Sequence, residues 1–295
     1  MSDRESRVTV VMITHNRHDE ALRSLAHLSR LPERPPIVVV DNQSSDGTAA
    51  AIRREFPNVQ LISAGRNLGG AARNLGVRSA TSPYVAFCDD DCWWEAGSIR
   101  WAADVLDAHP KIAVMSARIM VQPQGREAPI CRDLAASPLP QPENMPGTPL
   151  LGFIAGASII RRRPFLDAGG FEERMLVGGE EELLALDLAD SGWQIGYFPE
   201  IVSHHAPSNV RNVAKRNSRV VRNQLWVAWL RYPASLAWRR TVQTLHAARK
   251  EPAAAEGLAA ALRGLPWALK RRRVISPEVE RHLALLNDGL NGSSS

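Results

Sequence analysis

Three consecutive carboxylates, Asp89-Asp90-Asp91, stand behind an apolar run ending at Phe87, flanked by Cys88 and Cys92 and followed by Trp93 and Trp94. Adjacent carboxylates repel, and holding them together costs free energy unless a cation or several donors neutralise them. Hard oxygen ligands suit Mg²⁺ or Mn²⁺, and such ions keep coordination positions open for the phosphate oxygens of a substrate. The chemistry expected here is a divalent cation joining carboxylate to diphosphate. A solvated acidic loop is the competing reading, against which stand the apolar run before the cluster and the Cys-Trp-Trp after it. The cysteines also admit zinc, but neither a CxxC spacing nor a second pair supports it.

Two further polar clusters follow apolar runs: Thr14-His15-Asn16-Arg17 and Asp41-Asn42. Each alone reads equally well as a turn or a cap. The elements around them decide how to read the set. Runs at 8–13, 37–40, 59–62 and 84–87 are short, apolar and β-branched, the pattern of strands buried on both faces. Between them Ala21, Leu25 and Leu28 mark one helical face, and Asp46 can cap a helix through DGTAAAIRREF. Residues 69–80 and 95–109 complete the alternation. Strand and helix in turn predict an α/β fold, a mostly parallel sheet flanked by helices, whose ligands sit beyond the carboxyl ends of the strands. All three polar clusters fall on that one edge.

At 295 residues and 44% hydrophobic, the chain can bury one large domain or one domain with an appendage. It has no run of the ~18 to 20 apolar residues a bilayer span requires, and MSDRESR is not a signal peptide, so a cytoplasmic location is expected. Three cysteines without a framework spacing predict reduced thiols. The net charge of +5 conceals a division: residues 1–206 carry 20 basic and 26 acidic side chains, net −6, and residues 207–295 carry 16 and 5, net +11. That last third also holds Trp226, Trp229, Trp238 and Trp267. Basic and aromatic residues mixed in this way suit helices on an anionic membrane surface, or helices that pack on the first domain and expose charge. Nucleic-acid binding is disfavoured, since the first part is acidic and carries no nucleic-acid motif. Residues 121–150 hold seven prolines, an irregular connection of the kind that covers a site or moves.

The ordered segments VVMITHNR, VVVDNQSSDGT, RNLGGAARNLG, FCDDD, IAGASIIRRRPFLDAGGF and GGEEELLALDLADSGWQIGYFPE resemble the family 2 glycosyltransferases, over about residues 7–206. That resemblance implies a GT-A, Rossmann-like mixed sheet in a nucleotide-sugar-binding and catalytic domain at 1–206, with 207–295 as a basic helical appendage. It sets Asp41 on the nucleotide base with Thr14 beside it, Asp89 near the ribose and Asp91 on the metal, Mn²⁺ or Mg²⁺. Arg73 becomes the diphosphate contact, because a guanidinium matches phosphate oxygens bidentately. Asn16, Arg17, Asn67 and Asp90 complete the expected donor site. Inverting transfer needs a carboxylate to take the acceptor hydroxyl's proton, and the family's position for it falls on Glu181. The run Glu180-Glu181-Glu182 departs from the usual Glu-Asp, leaving Glu180 and Glu182 as alternatives, while helix capping alone also welcomes acidic residues there. His205, or else His204, is implied as a third metal ligand. With no QxxRW motif and no spanning helix, transfer of a single sugar is expected, from a UDP-sugar in preference to dTDP- or GDP-sugars. The acceptor expected is a glycan or lipid-linked molecule, reached from the inner face of the cell membrane. A nucleotidyltransferase would ordinarily carry a glycine-rich basic loop where THNRHDE stands, and a non-catalytic membrane-binding protein would need neither Asp91 nor Glu181.

Overall fold

The β-branched runs make one half of the sheet, with the strand at 60–63 at its edge. In the computed structural model, which describes residues 6–207 and 213–292, β1 (Val8–Thr14), β2 (Ile37–Asp41), β3 (Gln60–Ser63) and β4 (Tyr84–Asp89) run parallel in the order β3-β2-β1-β4. Helices α1 (His18–Leu28), α2 (Thr48–Glu55) and α3 (Arg73–Ser79) connect them. Successive residues of a strand point to opposite faces. Val10 and Met12 accordingly join Leu25 and Leu28 of α1 in one core, and Val11 joins Val77, Phe87 and Leu184 in another.

The rest of the sheet is mixed. After β5 (Cys92–Trp94) and α4 (Ser98–Ala108) come β6 (Ile112–Val121), the short β7 (Arg126–Glu127), α5 (Ile130–Ala135) and the short β8 (Thr148–Pro149). Then follow β9 (Ser158–Arg161), α6 (Arg162–Asp167), α7 (Glu180–Asp190) and β10 (Gln194–His205). The full order is β3-β2-β1-β4-β9-β6-β10-β5, with β7 on β6 and β8 on β10. β9 is antiparallel to both neighbours, whereas β10 is parallel to β6. One consequence matters for function. The chain leaves β4 at Asp89, turns, and returns as β5 antiparallel to β10, which pairs Cys92 with His205. The proline-rich stretch is less irregular than its composition predicts: Cys131, Leu139 and Met145 are buried, and the Gln141 amide donates to Met145 O (2.6 Å) and Gly147 O (3.1 Å).

The basic third forms α8 (Val213–Arg231), α9 (Ala234–Ala247), α10 (Pro252–Lys270) and α11 (Pro277–Gly292). These helices share a core with the sheet domain, in which Leu225, Trp226, Ala261 and Val279 pack with Met175, Leu183 and Leu186. Gly257 lets α10 approach α8 closely, since a Cβ there would lie 2.7 Å from Ser218 O and from Val221 Cβ. The Trp226 indole N–H donates to Ala261 O and that of Trp229 to Thr241 Oγ1, both at 3.0 Å, tying α8 to α10 and α9. Asp187 of α7 accepts from Arg231 and, at 2.9 Å, from Arg273.

Candidate active site

The three aspartates do three different jobs because the chain turns through them. Asp89 ends β4 and pairs with Arg73, whose side chain is only 6% exposed. The Arg73 guanidinium lies 5.7 Å from the ring centroid of Phe87 and 6.0 Å from that of Phe171. Arg73, which sequence reasoning gave to a diphosphate, lines the cleft and is paired there with the Asp89 carboxylate. Asp90 accepts the Thr14 hydroxyl at 3.0 Å. Burial, and then the charges of Asp89 and Asp91, push its carboxyl up to about 7. Asp91 is buried, with His205 Nε2 at 3.6 Å.

Asp91, Cys92 and His205 each offer a ligand atom, all within 4.8 Å of one another. A carboxylate and an imidazole among crowded acids fit Mn²⁺ or Mg²⁺. The thiol is a weaker donor. Burial, followed by the neighbouring carboxylates, raises Cys92 well above its ordinary value, and thiolate, not thiol, binds metal. Strand alternation separates the two histidines. His205 enters the cleft, whereas His204 lies 3.3 Å from Glu95, meets Gln122 at 3.0 Å and stacks on Trp93.

Glu180 and Glu181 begin α7 after Gly178 and Gly179, whose φ values of 81° and 90° favour glycine. Close packing adds a second reason: a Cβ would lie 2.9 Å from Val220 at Gly178 and 3.0 Å from Asn223 at Gly179. Glu180 is buried against Gly70, where a Cβ would come within 2.6 Å of its Oε1. Glu181 Oε1 accepts the Ala155 N–H at 2.6 Å. Glu182 turns away from the cleft to accept the Tyr232 hydroxyl, and burial raises its carboxyl.

Thr14, Arg17, Asn67, Asp89, Asp90, Asp91, Glu180, Glu181 and His205 all line one cleft of about 770 Å³. Arg73 reaches its wall as well. Asp41 and Asn16 do not line it. Asp41 is buried and accepts the Ser44 N–H at 3.2 Å, and Asn16 Oδ1 accepts the Ser45 N–H at 2.7 Å, so both brace the loop after β2. Its neighbour Asn42 lines the cleft, holding Leu68 N–H (3.0 Å) and Gly69 O (3.1 Å). Sequence reasoning missed Arg219, a lining residue from α8 with no hydrogen bond or ion pair among the described residues. It also missed Asn223, whose amide donates to Met175 O (2.8 Å) and Val177 O (3.1 Å) and so holds the loop before Glu180. The basic composition of 207–295 was the one signal pointing that way.

An N-acetylglucosaminyl-diphospho-decaprenol L-rhamnosyltransferase of Mycobacterium tuberculosis is 29% identical over 240 residues, covering 70% of this chain and 78% of that protein. Among solved structures, the mannosyltransferase PcManGT from Pyrobaculum calidifontis, in complex with GDP-Man and Mn²⁺, aligns with a TM-score of 0.57 at 21% identity. The match covers 98% of this chain and 76% of that one. GalNAc-T7 with UDP, GalNAc and Mn²⁺ aligns with a TM-score of 0.60 at 16% identity over 79% of this chain, which spans about half of that protein, 49%. At these identities the structural matches speak for the fold. The family model for glycosyl transferase family 2 matches residues 9–168. The chain belongs to glycosyl transferase family 2.

Proposed function

We propose that this protein is a metal-dependent inverting transferase that moves one sugar from a nucleoside-diphosphate sugar, UDP-sugar favoured, to a lipid-linked or glycan acceptor. The observation that carries this reading is the convergence, on one cleft, of the Asp91 and His205 donor pair with Glu181 from α7. Asp91 and His205 would hold the divalent ion, which would supply positive charge to the leaving diphosphate. Asp89, fixed by Arg73, faces the ribose, and Thr14, Arg17 and Asn67 surround the nucleotide. Arg219 supplies a cation to the diphosphate from the opposite wall.

Glu181 is the general base. The Ala155 N–H holds its carboxylate at 2.6 Å in the cleft wall. There it takes the acceptor hydroxyl's proton as the oxygen bonds to the anomeric carbon and the bond to diphosphate breaks on the opposite face. Glu180 is the buried neighbour that seats the helix on Gly70. The rhamnosyltransferase relative acts, by its name, on a diphospho-decaprenol. That supports a lipid diphosphate as the acceptor.

The test is a thermal-shift panel of UDP, dTDP, GDP and ADP with and without Mn²⁺, on wild type and Asp91→Ala. The expected result is a Mn²⁺-dependent shift with one nucleotide, lost in the variant. No shift with any nucleotide would remove the donor site from this cleft.

A further inference from the structure

Exposed apolar bulk is not evenly spread. Of the large hydrophobic side chains exposed among the described residues, Ile130 alone lies in the sheet domain. The others are Trp238, Leu245, Leu262, Leu269, Val274 and Leu285 of the helical third. Trp238 is 62% exposed and Leu262 54%. Trp238 and Leu245 are seven residues apart on α9, two helical turns, and so share a face. On α10 the exposed Ala255, Ala259, Leu262, Pro266 and Leu269 recur at alternating steps of four and three, a continuous stripe. The opposite side of α10 is spent on the core through Ala254, Gly257, Ala261 and Ala268.

The charges beside these stripes have one sign where the large side chains lie. Residues 207–250 contain ten basic and no acidic residues. Arg239 adjoins Trp238, Arg263 adjoins Leu262 and Lys270 adjoins Leu269, all exposed, while Glu251 and Glu256 lie at the far, N-terminal end of α10. A second copy docked stripe to stripe would bring cations against cations. Docked on the sheet domain instead, it would meet no matching apolar patch, only Ile130. No described helix is long and apolar enough to cross a membrane. An anionic bilayer answers both features, taking the apolar side chains at the boundary between headgroups and acyl chains and the cations at the lipid phosphates.

We propose that the outer faces of α9 and α10 dock on an anionic lipid surface, with Trp238, Leu245, Leu262 and Leu269 inserted and Arg239, Arg263 and Lys270 on the headgroups. Its purpose rests on the reading above: the bilayer carries the lipid-linked acceptor. The mechanical link is α8, which lines the cleft with Arg219 and is hydrogen-bonded to α10 through Trp226 and to α9 through Trp229. The docking face is therefore held in register with the cleft.

The experiment is co-sedimentation of the full chain with phosphatidylcholine vesicles and with vesicles also containing phosphatidylglycerol. It compares wild type, Trp238→Ser/Leu262→Ser and Arg263→Gln/Lys270→Gln. Wild type should bind the anionic vesicles and not the neutral ones, and each double variant should bind about tenfold or more weakly. The nucleotide-dependent thermal shift should stay unchanged in both variants, so a lost docking face is told apart from a lost donor site. Binding that the variants leave undiminished, or no binding by wild type, overturns the proposal. So does a dimer in sedimentation equilibrium that the Trp238→Ser/Leu262→Ser variant dissolves, which would give the face to a second copy.

Discussion

The sheet domain and the helical third differ in sign, net −6 against net +11, and in how they serve the cleft. The sheet supplies its anions: Asp89, Asp90 and Asp91 at the end of β4, and Glu180 and Glu181 at the start of α7. The helical third supplies a cation, Arg219, and the brackets that hold the Glu180 loop, through Asn223 and through Arg222, which donates to Arg174 O and Met175 O at 3.1 Å. Arg17 and Arg73 of the sheet domain line the same cleft, so Arg219 joins a set of cations drawn from both parts of the chain.

The comparison breaks most sharply at the base. Glu181→Gln should keep the nucleotide-dependent thermal shift and lose transfer by ~10²- to 10⁴-fold, the usual contribution of a general base. Single-turnover transfer measures it. Wild-type rates would shift the role to Glu180, the other glutamate in the cleft.

Next is the joint between the halves. Asp187 is 10% exposed and accepts from both Arg231 and Arg273. Removing one member of a buried ion pair costs ~3 to 5 kcal/mol, because the partner charge stays behind without compensation. Asp187→Ala should lower unfolding stability by the lower end of that range, about 3 kcal/mol by urea titration, because Arg273 is 56% exposed and its share is screened by solvent. A loss under 1 kcal/mol, on the order of a surface pair, would mean that the helical third is hung on the sheet, not built into it.

Arg219→Ala sharpens the electrostatic side. Transfer should fall on the order of 10- to 100-fold with unfolding stability unchanged, and Arg219→Lys should recover part of it as a point charge. An equal loss of stability and activity would make Arg219 a structural residue.

How much of this the sequence shows depends on the range over which each feature is specified. Strands β1, β2 and β4 were legible because a buried strand is a local apolar run, whereas β3, read as buried from 59–62, is an edge strand of exposed and half-buried residues. The Asp89 to Asp91 cluster was legible because its members are adjacent. The division among those three aspartates was not, since it depends on the β4 to β5 turn and on β10, more than 100 residues away, bringing His205 opposite Cys92. For Asp41 and Asn16 the sequence does not separate the two roles, because turn braces and ligand contacts use the same short polar side chains. Arg219 and Asn223 lay in a segment readable only as basic composition, because the carbonyl partners of Asn223 at 175 and 177 and the approach of Arg219 to the cleft are set by helix packing and leave no spacing in the sequence.

The smallest effect separates Glu182 from its two cleft-facing neighbours. Its carboxyl is raised above the ordinary 4.5 chiefly by burial, with the Tyr232 hydroxyl bond opposing. A group raised in the folded state contributes stability that is fully present below its unfolded value and is lost as pH rises through the folded one. Ionised Glu182 therefore weakens the α7 to α8 junction above that range, even with Tyr232 donating to it. Glu182→Gln, which keeps an oxygen for Tyr232 and cannot ionise, should flatten the pH dependence of the melting temperature. The gain should appear at alkaline pH and vanish in acid, within about 1 kcal/mol. If the gain were the same at every pH, the substitution would be acting through packing, and the junction between the acidic and basic halves would carry no titrating group at that position.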